Sequence, residues 1–152
     1  TQYYDYSDRN IQEIFSKVNY LVKENNLNLV VIPSMRTPKG TIEHAKIYFG
    51  NDHLVLNGVD KKAYLSALAI SKHIVVTCDS SSMISEAALT GKPIYIATIP
   101  PKKSDKRFRN FRKLFQEMNI VKELGDKLEN WNYEKLNETN RVANIIKDKI
   151  QL

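Results

Sequence analysis

The sequence predicts an α/β protein of Rossmann-like type, a mainly parallel sheet flanked by helices, on two observations. Short apolar runs alternate with stretches of helical periodicity along most of the chain, and strand-helix alternation of this kind closes into a parallel sheet. The runs are also continuous and rich in β-branched residues, as expected of strands covered on both faces. At 152 residues the chain suits one domain, long enough to bury a core and too short for two full ones.

The first element is an amphipathic helix from Ser7 to Asn26, with Ile11, Ile14, Phe15, Val18, Leu21 and Val22 at helical spacing and Asp8 in the N-cap position. Leu29 to Ile32 reads as a buried strand ending at Pro33, and Thr41 to Tyr48 as a short helix closed by Gly50. His53 to Leu56 is the second strand. Asp60 then caps a helix through Ala63, Leu65, Leu68 and Ile70, and Ile74 to Val76 is the third strand. A helix from about Ser81 to Thr90, stopped by Gly91 and Pro93, leads to a fourth strand over Ile94 to Ile99. After Pro100-Pro101 a basic segment enters a helix carrying Phe108, Phe111, Leu114, Phe115 and Met118, and a last helix follows Trp131 with Val142, Ile145, Ile146 and Ile150 as its stripe. The chain opens on a helix where a doubly wound domain begins with a strand, which points to a preceding portion of a longer protein.

Composition narrows the function classes. The formal net charge of +6 favours anionic partners without choosing among them. The lone Cys78 makes no internal disulfide and reads as a small buried residue, and no stretch has the length of a membrane span or the core of a signal peptide, so the expectation is cytoplasmic. His44, His53 and His73 are scattered without metal-site spacing, and neither a Gly-rich dinucleotide fingerprint nor a P-loop is present, so no metal or cofactor is expected. Ser81 lacks the glycines of a nucleophile elbow.

The chemistry concentrates where a strand ends and a helix begins. Thr77 to Glu86 includes Asp79, Ser80, Ser81 and Ser82 at a helix start, where unpaired amides and the helix dipole favour a phosphate or diphosphate and the hydroxyls add donors. Glu86, about one turn in, suits ribose hydroxyls if a nucleotide lies there. Simple capping by Asp79 and one serine accounts for the same residues. Ser34, Arg36 and Thr37 hold the equivalent position after the first strand, where Arg36 would clamp a diphosphate or stand solvated in a turn. The run Lys102, Lys103, Lys106, Arg107, Arg109, Arg112 and Lys113 would suit an acidic membrane, nucleic acid or a phosphorylated substrate, although such runs are more often a solvated face over buried aromatics.

Taken together, Ser34-Met35-Arg36-Thr37-Pro38, the stretch from Tyr64 to Tyr95, Arg107-Phe108 with Phe111, and Leu136 to Ala143 resemble the mitochondrial fission (elongated-mitochondria) family. Asp79 to Ala88 followed by Thr90-Gly91-Lys92-Pro93 is also similar to the nucleotide-sugar site of GT-B glycosyltransferases. Bacterial members of the family have often been labelled nucleoside-diphosphate-sugar epimerases. The resemblance implies a two-domain protein about twice this length, of which this chain is the GT-B C-terminal-domain-like half. It further implies a nucleoside diphosphate or nucleotide sugar held by Ser80, Ser82 and Arg36 with Glu86 on the ribose, and a catalytic base supplied by the missing N-terminal half, so that this chain alone is inactive. Met35 stands where a second basic residue is expected beside Arg36. The competing expectation is a non-catalytic interaction protein that kept the fold, with a homodimer or a peripheral membrane contact among its partners and nucleic acid disfavoured.

Overall fold

The computed structural model describes residues 3–135, and over them the chain is an α/β protein whose parallel strands lie in two open sheets flanked by five helices, a Rossmann-like arrangement. The expected last helix, with Val142, Ile145, Ile146 and Ile150, lies outside the described residues. The described chain falls into two compact units. One holds the residues through Ile70 with Ile99–Lys102 and Gly125–Leu128; the other holds Ser71–Thr98, Lys103–Leu124 and the residues from Glu129 onward.

The first unit is built on helix α1, Asp8–Glu24, which buries Asn10, Ile11, Phe15, Leu21 and Val22. Its entry differs from the expected Asp8 cap. Ser7 takes the cap position without a side-chain bond, and the turn is fixed instead by Asp5, whose Oδ1 accepts the Ser7 N–H (3.1 Å) and whose carbonyl accepts Asn10 Nδ2 (3.0 Å). Asp8 becomes the first helical residue, where its charge still favours the dipole. The helix ends in a Schellman motif: Asn26 is left-handed (φ 51°), Leu27 N–H donates to Val22 O (2.9 Å), and Asn26 N–H donates to Lys23 O (3.3 Å).

Strands β1, Val30–Val31, and β2, Leu54–Val55, pair in parallel with Val30 opposite Leu54. Helix α2, Lys39–Phe49, begins two residues before the predicted start because the Pro38 carbonyl already accepts the Thr41 and Ile42 amides. Phe15 of α1 meets His44, Tyr48 and Phe49 of α2 at ring separations of 5.1, 5.6 and 5.1 Å, which locks the two helices together. Helix α3, Lys61–Ile70, has the predicted cap, Asp60 Oδ1 accepting the Ala63 N–H at 3.1 Å. Its apolar stripe is not buried, and Leu65 and Ile70 are 50% and 79% exposed.

In the second unit β3, Ile74–Thr77, β4, Ile94–Ala97, and β5, Val121–Glu123, form a parallel sheet in the order β3-β4-β5. All four β4 residues are buried, which is why the run Ile94-Tyr95-Ile96-Ala97 is unbroken by polar residues. Strand β5 escaped the sequence reading because two of its three residues are Lys122 and Glu123, as an edge strand tolerates. Helix α4, Ser81–Ala88, buries Ile84, Ala87 and Ala88; helix α5, Lys106–Glu117, buries Phe111, Leu114 and Phe115. A second Schellman motif closes α5, with Asn119 left-handed (φ 60°) and Ile120 N–H donating to Phe115 O at 2.9 Å. That bond drops the chain directly into β5.

Candidate functional site

In the first unit the turn after β1 is closed on itself. Thr37 Oγ1 accepts the Ser34 N–H (2.8 Å) and lies 3.2 Å from Ser34 Oγ, while Ser34 Oγ accepts the Arg36 N–H (3.3 Å). The two hydroxyls are therefore spent largely on shaping the loop, and Met35 and Arg36 are left at its exposed tip. Along α1 and α2 runs an open groove of about 540 Å³ lined by Asp8, Arg9, Gln12, Gly40, Glu43, His44 and Ile47. None of the candidate nucleotide-binding residues lines it.

In the second unit β3 ends at Thr77 and α4 begins at Ser81, the strand-to-helix junction expected from the sequence. Ser80 N–H donates to Thr77 O (3.1 Å), and the first helical bond runs from Ile84 N–H to Ser80 O (2.9 Å). The amides of Ser81, Ser82 and Met83 thus precede the ladder and face the loop. Ser80 is buried, its hydroxyl 3.4 Å from Thr77 Oγ1 and 3.5 Å from Asp79 Oδ1, distances too long for strong bonds. Ser81 is half-buried, while Ser82 and Glu86 are exposed and four residues apart, on one face of α4 opposite the buried Ala87 and Ala88. Cys78 is fully buried beneath the turn, a packing residue as its apolar neighbours predict.

An ionic clamp that the sequence reading missed braces this turn. Asp105, at the cap position of α5 and only 6% exposed at its side chain, receives Arg109 Nε at 2.9 Å and Arg112 Nη2 at 3.3 Å. The other arm of Arg112 donates to the Cys78 carbonyl (2.9 Å), at the end of β3. One guanidinium thereby ties α5 to the loop that opens α4. The signal was present: Asp105 is the only acid among the seven cations of Lys102 to Lys113.

At the far end of α4, Thr90-Gly91-Lys92-Pro93 turns the chain into β4. Gly91 has φ +75°, a conformation that strains any residue with a Cβ, and a side chain there would also displace the flexible end of Lys135. Thr90 Oγ1 donates to Ala87 O (2.6 Å) and accepts the Lys92 N–H (3.1 Å), and Tyr133 donates to the Lys92 carbonyl (2.6 Å). Desolvation pushes the Tyr133 phenol up to about 12 against the opposing bond with Thr90, and partial burial lowers Lys92. The Thr-Gly-Lys-Pro signature therefore has a structural role here, shaping the helix-to-strand turn. Among the described residues no group of three or more His, Cys, Asp or Glu is arranged to hold a metal ion, and no helix is long and apolar enough to cross a membrane.

Comparison with known proteins gives the chain a family. The model of the family described as "Mitochondrial fission ELM1" matches residues 1–150. The chain belongs to that family. Among curated relatives, an uncharacterized protein of Rickettsia prowazekii (strain Madrid E), RP120, is 38% identical over 92 residues, covering 59% of this chain and 26% of the relative. The mitochondrial fission protein ELM1 of Arabidopsis thaliana is 34% identical over 99 residues, 63% of this chain and 23% of the relative. The matched region is thus about a quarter of either relative's length. No solved structure matches the chain.

Proposed function

We propose that this ELM1-family chain is the nucleotide-binding half of a GT-B glycosyltransferase-like protein, holding the diphosphate of a nucleoside diphosphate or nucleotide sugar at the start of α4 and inactive alone. The observation that carries the reading is the β3–α4 turn. Three amides precede the helical ladder at the carboxyl end of a parallel strand, the place where open α/β sheets bind ligands. Exposed Ser82 lies at the helix start and exposed Glu86 on the same face one turn further on, a spacing that suits a phosphate followed by a ribose. Asp79 and Ser81 flank the turn, and Ser80 shapes it from beneath. Arg36, with Ser34 and Thr37 fixing its loop, is a second anion-binding element on its own unit.

Calorimetric titration of the chain with uridine, guanosine and adenosine diphosphates tests the proposal. Weak binding of at least one is expected, and Glu86→Ala should cost about 1 to 3 kcal/mol of it through lost charge-assisted hydrogen bonds, with folding unchanged. No heat from any of the three at millimolar ligand would favour a second reading, a non-catalytic interaction protein, to which the name of the Arabidopsis relative, a mitochondrial fission protein, lends support.

A further inference from the structure

We propose that the exposed cationic face of α5 is an adsorption surface for an anionic lipid bilayer. Lys103 to Lys113 carries six Lys and Arg against the single Asp105, so these eleven residues hold five of the chain's six net positive charges. The rest of the sequence is close to neutral, and the basic pI is the property of one short segment. On the helix, Lys106, Arg109 and Lys113 recur at three and four residues and are exposed, opposite the buried Phe111 and Phe115; Lys103 and Arg107 flank them, also exposed.

Folding stability accounts for Arg109 and Arg112, which answer Asp105, and not for the rest of this face. No acidic residue lies in the first turn of α5, and Lys106, Arg107 and Arg109 instead crowd the positive end of its dipole, where cations are unfavourable. Asp105 offsets part of that repulsion but is itself taken up by Arg109 and Arg112. A sequence that keeps a locally unfavourable pattern on an exposed face is serving something outside the fold.

Charge complementarity requires an anionic partner, and the side chains favour a lipid surface over nucleic acid. Two of the three rings that would stack on bases are turned inward, Phe111 4% and Phe115 0% exposed, and Phe108 is half-buried. Two of the three guanidiniums able to make forked phosphate contacts, Arg109 and Arg112, are bonded to Asp105, and Arg107 stays on the exposed face. The exposed remainder is mainly lysine, a mobile point charge that answers the diffuse potential of anionic headgroups. With the apolar side of α5 committed to the core, attachment is electrostatic and reversible.

Sedimentation of the full chain with vesicles tests this independently of nucleotide binding, because Ser82 and Glu86 are untouched. The chain should partition onto phosphatidylcholine vesicles containing phosphatidylserine at about 0.1 M salt and leave them at about 1 M, where the Debye length falls from about 10 Å to about 3 Å. The triple variant Lys106→Gln, Arg107→Gln, Lys113→Gln should lose about a hundredfold, roughly fivefold for each charge removed. The matched control Lys61→Gln, Lys62→Gln, Lys72→Gln alters exposed lysines elsewhere and should keep its binding; circular dichroism checks that both variants fold. Equal losses in the two variants, equal binding to pure phosphatidylcholine, or no partition onto the anionic vesicles would overturn the proposal. Tighter binding to single-stranded RNA than to the anionic vesicles at the same ionic strength would assign the face to nucleic acid instead.

Discussion

Asp105 illustrates what one side chain does in the second unit. A nearly buried carboxylate is tolerated only when its charge is answered, and Arg112 supplies that answer while reaching on to the Cys78 carbonyl. Removing the acid takes from Arg112, itself only 13% exposed, the carboxylate that lies 3.3 Å away. Asp105→Asn is therefore expected to destabilise the chain by about 3 kcal/mol in urea unfolding. Arg109→Ala should cost no more than about 1 kcal/mol, because its side chain is 62% exposed and the pair is screened. Equal losses for the two substitutions would show that burial does not set the worth of this clamp. The same scale shows the limits of reading caps from sequence. Asp60 was legible because an acid directly before an apolar helical pattern has one obvious use, whereas Asp8 was displaced by Asp5 and Asn10, whose bonds depend on the path of the chain entering the helix.

At the scale of elements, strands and helices were legible wherever hydrophobic pattern and burial agree. The run Ile94 to Ala97 announces a central strand because every residue in it is covered, and the stripe of α5 announces a helix because Phe111, Leu114 and Phe115 meet the core. Strand β5 was hidden because its pairing is set by the Asn119 turn and by partners on β4 rather than by its own composition. The candidate site was legible to the same degree: helix-start chemistry at Ser80 to Ser82 follows from local sequence, while the Arg112 bond that braces it joins residues 34 positions apart. Helix α3 is the element where pattern and burial part company, with apolar residues at helical spacing and none buried. Such a helix leans on its cap more than on packing. Asp60→Ala should cost about 1 kcal/mol and speed hydrogen exchange through Ala63 to Ile70 while leaving β4 amides protected. Unchanged exchange along α3 would mean that the cap contributes little.

At the scale of the molecule, neither compact unit is a continuous stretch of chain. The N-terminal segment is held by residues that come nearly a hundred positions later: Asp5 N–H donates to Pro100 O (2.8 Å), Lys102 N–H donates to Tyr3 O (2.7 Å), and Tyr4 bridges Pro101 in antiparallel fashion. Tyr4 is 1% exposed, so this contact is part of a packed core and not a surface decoration. Contacts of such high sequence separation carry a loop-closure cost that the packing of Tyr4 must repay. In the full chain, Tyr4→Ala is expected to cost about 3 kcal/mol, the usual loss for truncating a large buried ring. A fragment ending at Ile70 loses Pro100 to Lys102 altogether and keeps helices α1, α2 and α3 without the segment that anchors Tyr3 to Asp5. It should show helical circular dichroism but no sharp thermal transition, whereas the full chain should melt cooperatively. A cooperative melt of the fragment at the temperature of the full chain, together with a negligible effect of Tyr4→Ala, would mean that α1 and α2 with the Phe15 cluster are sufficient, and that the return of the chain through Pro100 adds nothing to the stability of the first unit.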